Sequence, residues 1–198
     1  MDYPKGVRKR IFQQTNKLTN TINYANRGMT LEEDINETNK YYLTINKAII
    51  HKKPTPIQIV KVNYPKRSAA VITEGYFQEK ATTDYNGIYR GKYIDFEAKE
   101  TKNKTTFPLA NIHEHQIEHM RSVLNHQGIC FIVIRFAVHH ETYYLPSETL
   151  ITYWDKMING GKKSIPYDVI RKKGYKIPFS YQARVDYLTI IDQIFFTS

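Results

Sequence analysis

The run Ile129-Cys130-Phe131-Ile132-Val133-Ile134 is apolar without a break. A strand with one wet face alternates apolar and polar side chains. An unbroken run instead fits a strand covered on both faces, deep in a sheet with helices above and below. The flanking sequence agrees. His113 to Gln127 reads as a helix closed by Gly128, and Thr142 to Leu145 as a further strand. Helices are expected over Ser147–Ile158, Pro166–Lys173 and Arg184–Phe196. Earlier, Thr30 is placed to cap a helix whose first turn holds Glu32, Glu33 and Asp34, where the dipole favours acids. Leu31, Ile35, Tyr42, Ile45 and Ile49 recur at helical spacing, which carries that helix to about Ile50, before Pro54 and Pro56 stop it. The order helix, strands, helix, strand, helices predicts an α/β fold, a mixed sheet flanked by helices. With 198 residues the chain has the length of one domain.

Two hairpins are expected ahead of the buried run. In the first, Ile57 to Val62 is strand-like, Asn63-Tyr64-Pro65-Lys66 is a turn, and Ala69–Phe77 returns. This element, about residues 52–77, is basic and carries Tyr76 and Phe77 near its base. In the second, Thr82 to Tyr85 is extended, Asn86-Gly87 is a two-residue turn, and Ile88 to Lys99 is extended again. Residues 1–25 are rich in Asn, Thr and basic side chains without periodicity, and read as a flexible basic arm ahead of a domain spanning 26–198.

Charge narrows the function. Lys and Arg total 29 against 19 Asp and Glu, a formal net charge of +10, which points to an anionic partner: nucleic acid or an acidic membrane surface. No acid occurs between Glu37 and Glu74, while Lys52, Lys53, Lys61, Lys66 and Arg67 lie in that gap. Edge strands often carry lysine merely to block aggregation, but that does not explain the whole acid-free stretch. No apolar run approaches the roughly 20 residues of a membrane span. The N-terminal Met-Asp-Tyr-Pro-Lys-Gly has no apolar signal region, so a cytoplasmic protein is expected. A single cysteine, Cys130, excludes a disulfide framework and a Cys-based zinc site. His115 and His119 are four apart, near His113, but the Glu of an H-E-x-x-H arrangement is missing, and these histidines read as packing or surface groups.

The chemistry concentrates in residues 84–99. Along a strand over Ile94–Lys99, Ile94, Phe96 and Ala98 share one face and Asp95, Glu97 and Lys99 the other. Asp84 falls on the partner strand, where its carboxylate can approach Glu97. Two converging carboxylates repel unless a cation lies between them, and oxygen donors without cysteine select a hard ion, Mg²⁺ or Mn²⁺. Such an ion polarises a phosphate oxygen and acidifies a bound water. A lysine two positions on can orient that water or offset charge growing on the phosphate. This is the equipment of phosphodiester hydrolysis. A carboxylate–x–Lys pair on a strand is more often a solvated face, and the motif alone is short. The clean apolar alternation, the neighbouring hairpin and the basic chain raise its weight.

Asp84…Glu97-Ala98-Lys99 has the form of the PD-(D/E)xK nuclease motif. Around it, Lys52-Lys53-Pro54-Thr55-Pro56, Asn63-Tyr64-Pro65-Lys66-Arg67, Thr82-Thr83-Asp84-Tyr85-Asn86-Gly87 and Ile94-Asp95-Phe96-Glu97-Ala98-Lys99-Glu100-Thr101-Lys102 closely resemble the RecU family of Holliday junction resolvases, from Asn26 onward. The resemblance implies a restriction-endonuclease-like core with a protruding β-hairpin stalk, here about Lys52 to Phe77. It implies Mg²⁺ or Mn²⁺ held by Asp84 and Glu97, with Thr82 and Gln116 completing the site, and Lys99 as the catalytic lysine. It implies a homodimer that resolves four-way DNA junctions by paired nicks in recombination and repair, working at the nucleoid with RecA and branch-migration proteins. Junction contacts would come from Lys52, Lys53, Lys61, Lys66, Arg67, Tyr76 and Phe77. Thr83 stands where the generic motif has proline, a departure that RecU-type sequences share. Two rivals are a non-catalytic junction-binding module that regulates a recombinase, which has no need of Asp84, Glu97 and Lys99 on one face, and a restriction-type nuclease.

Overall fold

In chain order the elements are α1 (Leu31–Thr44), β1 (Ile49–Lys52), β2 (Ile57–Asn63), β3 (Val71–Phe77), β4 (Tyr85–Tyr89), β5 (Lys92–Thr101), β6 (Thr106–Pro108), α2 (Glu114–Asn125), β7 (Ile129–Phe136), β8 (Glu141–Pro146), α3 (Ser147–Ile158), β9 (Ser164–Pro166), α4 (Tyr167–Lys173), β10 (Tyr175–Ile177) and α5 (Tyr187–Phe195). They come from a computed structural model that describes residues 29–78 and 82–197. The basic arm expected over residues 1–25 lies outside the described residues.

Six strands form one sheet in the order β1-β4-β5-β7-β8-β10. The β5–β7 pair is parallel and its neighbours are antiparallel, so the sheet is mixed. β7 is the apolar run, with all but Arg135 buried. Its odd-numbered residues Ile129, Phe131 and Val133 face a core with Ile35, Tyr42, Phe96, Tyr187 and Leu188, from α1, β5 and α5. Its even-numbered residues Cys130, Ile132 and Ile134 face a second core with Ile117, Met120, Leu150 and Trp154, from α2 and α3. The sheet is thus sandwiched between helices, the expected mixed α/β architecture.

α1 begins as expected. Thr30 and Glu33 form a reciprocal capping box, each side chain satisfying the other's backbone N–H. It ends six residues before Ile50, at Thr44. Asn46 takes a positive φ of 54°, and the chain turns to lay Ile49–Lys52 against β4 as an edge strand. Ile45 and Ile49, which continue the helical spacing past that end, are both about half exposed, and Ile50 is buried on the sheet rather than on the helix. α2 likewise stops at Asn125, where Gln127 adopts φ 61°. α5 starts at Tyr187, capped by the Asp186 carboxylate, rather than at Arg184.

The second hairpin is shifted from its expected turn. Asn86 and Gly87 lie inside β4, and the turn is Arg90-Gly91, both at positive φ (48° and 77°), as a two-residue hairpin of primed type needs. Gly87 serves another purpose. A Cβ there would sit 2.0 Å from the Ile49 carbonyl oxygen, so glycine is what lets β1 pair with β4.

β2 and β3 form a separate two-stranded sheet, with every strand residue exposed. Pairing runs from Ile57↔Phe77 to Asn63↔Val71, and a short 3-10 turn at Arg67–Ala69 closes the tip. This exposed hairpin carries Ile57, Ile59, Val62, Ile72, Tyr76 and Phe77 with no core of its own. No described helix is long and apolar enough to cross a membrane.

Candidate active site

The parity of β5 decides the site. Ile94 and Phe96 enter the α1/α5 core, so Asp95 and Glu97 must enter the opposite face, beneath α2, and both are fully buried. β4 pairs with β5 at Tyr85↔Phe96, which sets Asp84 beside Glu97. The Asp84 backbone N–H donates to Glu97 Oε2 at 3.0 Å. Lys99 Nζ lies 2.7 Å from Glu97 Oε1 as an ion pair. Burial pushes the Glu97 carboxyl up to about 7; the Lys99 ammonium opposes the shift and the Asp84 charge adds to it. A cleft of about 270 Å³ has Asp84 in its wall, between Thr30 and Glu32 at the start of α1 and Ala98 and Glu100 of β5, but neither Glu97 nor Lys99 lines it. A larger hollow of about 690 Å³ lies along the end of α3 and has none of these residues in its walls.

The remaining expected ligands are less complete. Thr82 precedes β4 with its hydroxyl turned to the Thr83 carbonyl at 3.4 Å. Gln116 is buried on α2, where its side-chain carbonyl accepts the His113 N–H at 3.1 Å, capping that helix and leaving a second lone pair. Among the described residues no cluster of three or more His, Cys, Asp or Glu is arranged to hold a metal. Two converging carboxylates nevertheless suit a hard ion. Mg²⁺ commonly takes one or two carboxylates and fills its other positions with water and substrate phosphate. The residues present therefore fit Mg²⁺ or Mn²⁺, and do not fit a cation that demands an all-protein cage.

The residues expected to contact DNA divide into two groups. Lys61, Lys66, Tyr76 and Phe77 project from the exposed hairpin, Phe77 at 82% exposure, and Tyr76 donates its hydroxyl to Glu74 at 3.1 Å. Arg67 opens the turn at the hairpin tip. Lys52 pairs with Glu32 of α1. Lys53 is turned inward: its ammonium donates to Asp95 at 2.9 Å and to Thr83 at 3.1 Å. It is not displayed for a phosphate.

Asp95 is the residue that sequence reasoning passed over. Alternation puts it on the strand face of Glu97 and Lys99 but assigns it no role. Its carboxylate accepts from Lys53, from the Thr83 hydroxyl and from Tyr93 at 2.8 Å, and His119 Nε2 lies 3.2 Å away. Burial alone would raise this carboxyl, but the bonds from His119, Thr83 and Lys53 outweigh it and hold it below the usual range. The signal available was its parity with Glu97 and Lys99. His119 reaches Asp95 from α2, while His113 and His115 stack on each other with ring centroids 5.4 Å apart.

A helix-flanked mixed sheet that brings two carboxylates and a lysine together on one face, Glu97 buried and Asp84 and Lys99 half-buried, defines a nuclease-type α/β protein. Residues 26–193 match the profile of the RecU family, recombination protein U, and the chain belongs to that family. It is 61% identical over 196 residues to the Holliday junction resolvase RecU of Oceanobacillus iheyensis, covering 99% of this chain and 100% of that one. It is 56% identical over 197 residues to the protein of the same name from Geobacillus kaustophilus, covering 100% and 98%. Among solved structures, Hjc from Archaeoglobus fulgidus, a Holliday junction resolvase, superposes with a TM-score of 0.40 at 9% identity, over 68% of this chain and 86% of that one, a likeness too loose to build on.

Proposed function

We propose that the protein is a divalent-metal-dependent endonuclease that resolves four-way (Holliday) DNA junctions by paired symmetric nicks, in recombination and repair. The observation that carries this reading is the meeting of Asp84, Glu97 and Lys99 on one sheet face in a chain of the RecU family.

Asp84 and Glu97 would hold Mg²⁺ or Mn²⁺, with neutral oxygens from Thr82 and Gln116 completing the protein's share. The ion supplies polarisation of a phosphate oxygen and a more acidic bound water. The Asp84 amide fixes one Glu97 oxygen, so the carboxylate enters the site in one orientation. Lys99, tethered at the other oxygen, brings a positive charge to where negative charge grows on the phosphate. The burial of Glu97 excludes water from that oxygen and strengthens both interactions.

Selectivity for a branched substrate falls to the hairpin. A four-way junction has an open centre where phosphates of four arms crowd together. Lys61, Lys66 and Arg67 would enter that centre as a stalk, and Tyr76 and Phe77 would stack on bases exposed at the crossover, at about 1–3 kcal/mol per base. Two symmetric nicks need two active sites, and one site per chain implies a homodimer with a two-fold axis matching that of the junction. RecA and branch-migration proteins are the proposed partners, and the cytoplasmic nucleoid the place of action.

Asp84→Ala and Lys99→Ala separate chemistry from binding. Both should abolish Mg²⁺-dependent nicking while junction affinity in gel-shift titrations stays nearly unchanged, because affinity rests on phosphate contacts made elsewhere. Nicking by Asp84→Ala at the wild-type rate would remove Asp84 from the site.

A further inference from the structure

The buried cluster around Asp95 connects the hairpin to the carboxylates. The hairpin leaves the sheet after β1 at Lys53 and returns to it at Thr83, one residue before Asp84. Both anchor points bind the same side chain. Lys53 Nζ donates to Asp95 Oδ2 at 2.9 Å and to Thr83 Oγ1 at 3.1 Å, and Thr83 Oγ1 in turn donates to Asp95 Oδ1. The main chain repeats the link: the Lys53 N–H donates to the Asp84 carbonyl at 2.7 Å. Thr83 and Asp95 are both fully buried. Tyr93 and His119 close the remaining sides of the carboxylate.

An ionised carboxylate with no access to water is expensive, and a fold seeking only stability does as well with an apolar side chain at such a position. What this one supplies is directional. It fixes the backbone at Thr83, and Thr83 is covalently joined to the residue whose amide holds Glu97. Without those bonds, the segment entering β4 is positioned only by main-chain pairing at its edge.

We propose that Asp95 is a positioning residue of the nuclease site: by tying Lys53 and Thr83, the two ends of the hairpin base, to β5, it holds Asp84 in register with Glu97. The inference rests on the metal-dependent nuclease reading above and adds a route by which force on the hairpin reaches the carboxylates. In this reading Asp95 and Thr83 act through Asp84.

The test compares Thr83→Val, which keeps the shape and removes the hydroxyl, with Thr83→Ser, which restores it, and with Asp95→Asn. The primary readout is Mn²⁺ binding to the full-length protein without DNA, by calorimetry, alongside the melting temperature. Thr83→Val and Asp95→Asn should weaken Mn²⁺ binding by about tenfold or more, as loss of a supporting shell commonly does. Thr83→Ser should bind within about twofold of wild type, the hydroxyl being the group at issue. The half-saturating Mg²⁺ concentration for junction nicking should rise in parallel. If the cluster only stabilises the fold, Thr83→Val lowers the melting temperature and leaves Mn²⁺ affinity unchanged, and the proposal falls. Equal weakening by Thr83→Ser and Thr83→Val also overturns it. Should Asp95→Asn not fold, the Thr83 pair decides alone. A wild-type protein that bound Mn²⁺ but nicked no DNA would sink the functional reading and leave the binding comparison intact.

Discussion

Two acids in this structure show how surroundings set the behaviour of one kind of group. Glu97 is buried with one cation and a neighbouring acid, and its carboxyl rises to about 7. Glu141 accepts hydrogen bonds from Lys176, Tyr167 and Tyr143, and its carboxyl drops from 4.5 to about 2. Those donors come from β10, α4 and β8, so Glu141 fastens three elements at the sheet edge. A carboxyl lowered by folding binds fewer protons folded than unfolded, so its contribution is present above its unfolded value and is lost as pH falls. Stability should therefore decline between about pH 4.5 and pH 2 on account of Glu141. Chemical denaturation across that window should show a shallower decline in Glu141→Gln than in wild type; identical slopes would remove Glu141 from the acid response. At this scale the sequence was informative where chemistry follows chain parity. Asp84, Glu97 and Lys99 were legible because alternation puts the latter two on one face. Asp95 lies on that same face, but its partners Lys53, Thr83 and His119 come from distant positions in the chain, and no local pattern announces such a cluster.

The elements were readable where burial and local preference agreed. β7 and α3 fell where apolar runs and spacing put them. The end of α1 did not, because Ile45 and Ile49 continue a helical rhythm past Thr44 while Ile49 belongs to an edge strand, and only the pairing partner settles which period applies. The β4–β5 turn was misplaced for a similar reason. Asn86-Gly87 is the stronger local turn signal, but Gly87 is needed for the approach of β1, and Arg90-Gly91 makes the turn. Gly87→Ala tests that account. Its methyl would lie 2.0 Å from the Ile49 oxygen and 2.6 Å from Ile50 Cα, and backbone cannot yield as a side-chain tip does. The substitution should cost about 3 kcal/mol in urea unfolding, the upper end for overpacking. An unchanged midpoint would mean that β1 does not pair as described. The hairpin is tested by changing Lys61, Lys66 and Arg67 together to Ala. At one fixed salt concentration, junction affinity should fall more than duplex affinity, and each lost phosphate contact should flatten the salt dependence of log K by about 0.9. Equal losses on both substrates would make the hairpin a merely solvated edge.

For the whole molecule, the sheet places the face of Asp84, Glu97 and Lys99 and an exposed basic hairpin on one chain, joined at Lys53 and Thr83. The sandwich was legible from the order of apolar patterns. The connection between its working parts was not, because it runs through contacts between residues far apart in sequence. The surplus of positive charge, net +10, explains attraction to DNA of any form, and cannot by itself choose a branched substrate. Choice needs geometry: a projection that fits the open centre, and two sites related by the junction's own symmetry. The most direct measurement is nicking of a mobile four-way junction, with a linear duplex of the same sequence beside it, in Mg²⁺ at one salt concentration. Paired nicks in symmetry-related strands of the junction, dependent on Asp84 and Glu97, are expected, with the linear duplex left largely intact. Cleavage of both substrates at equal rates, or none of the junction in Mg²⁺, would contradict it.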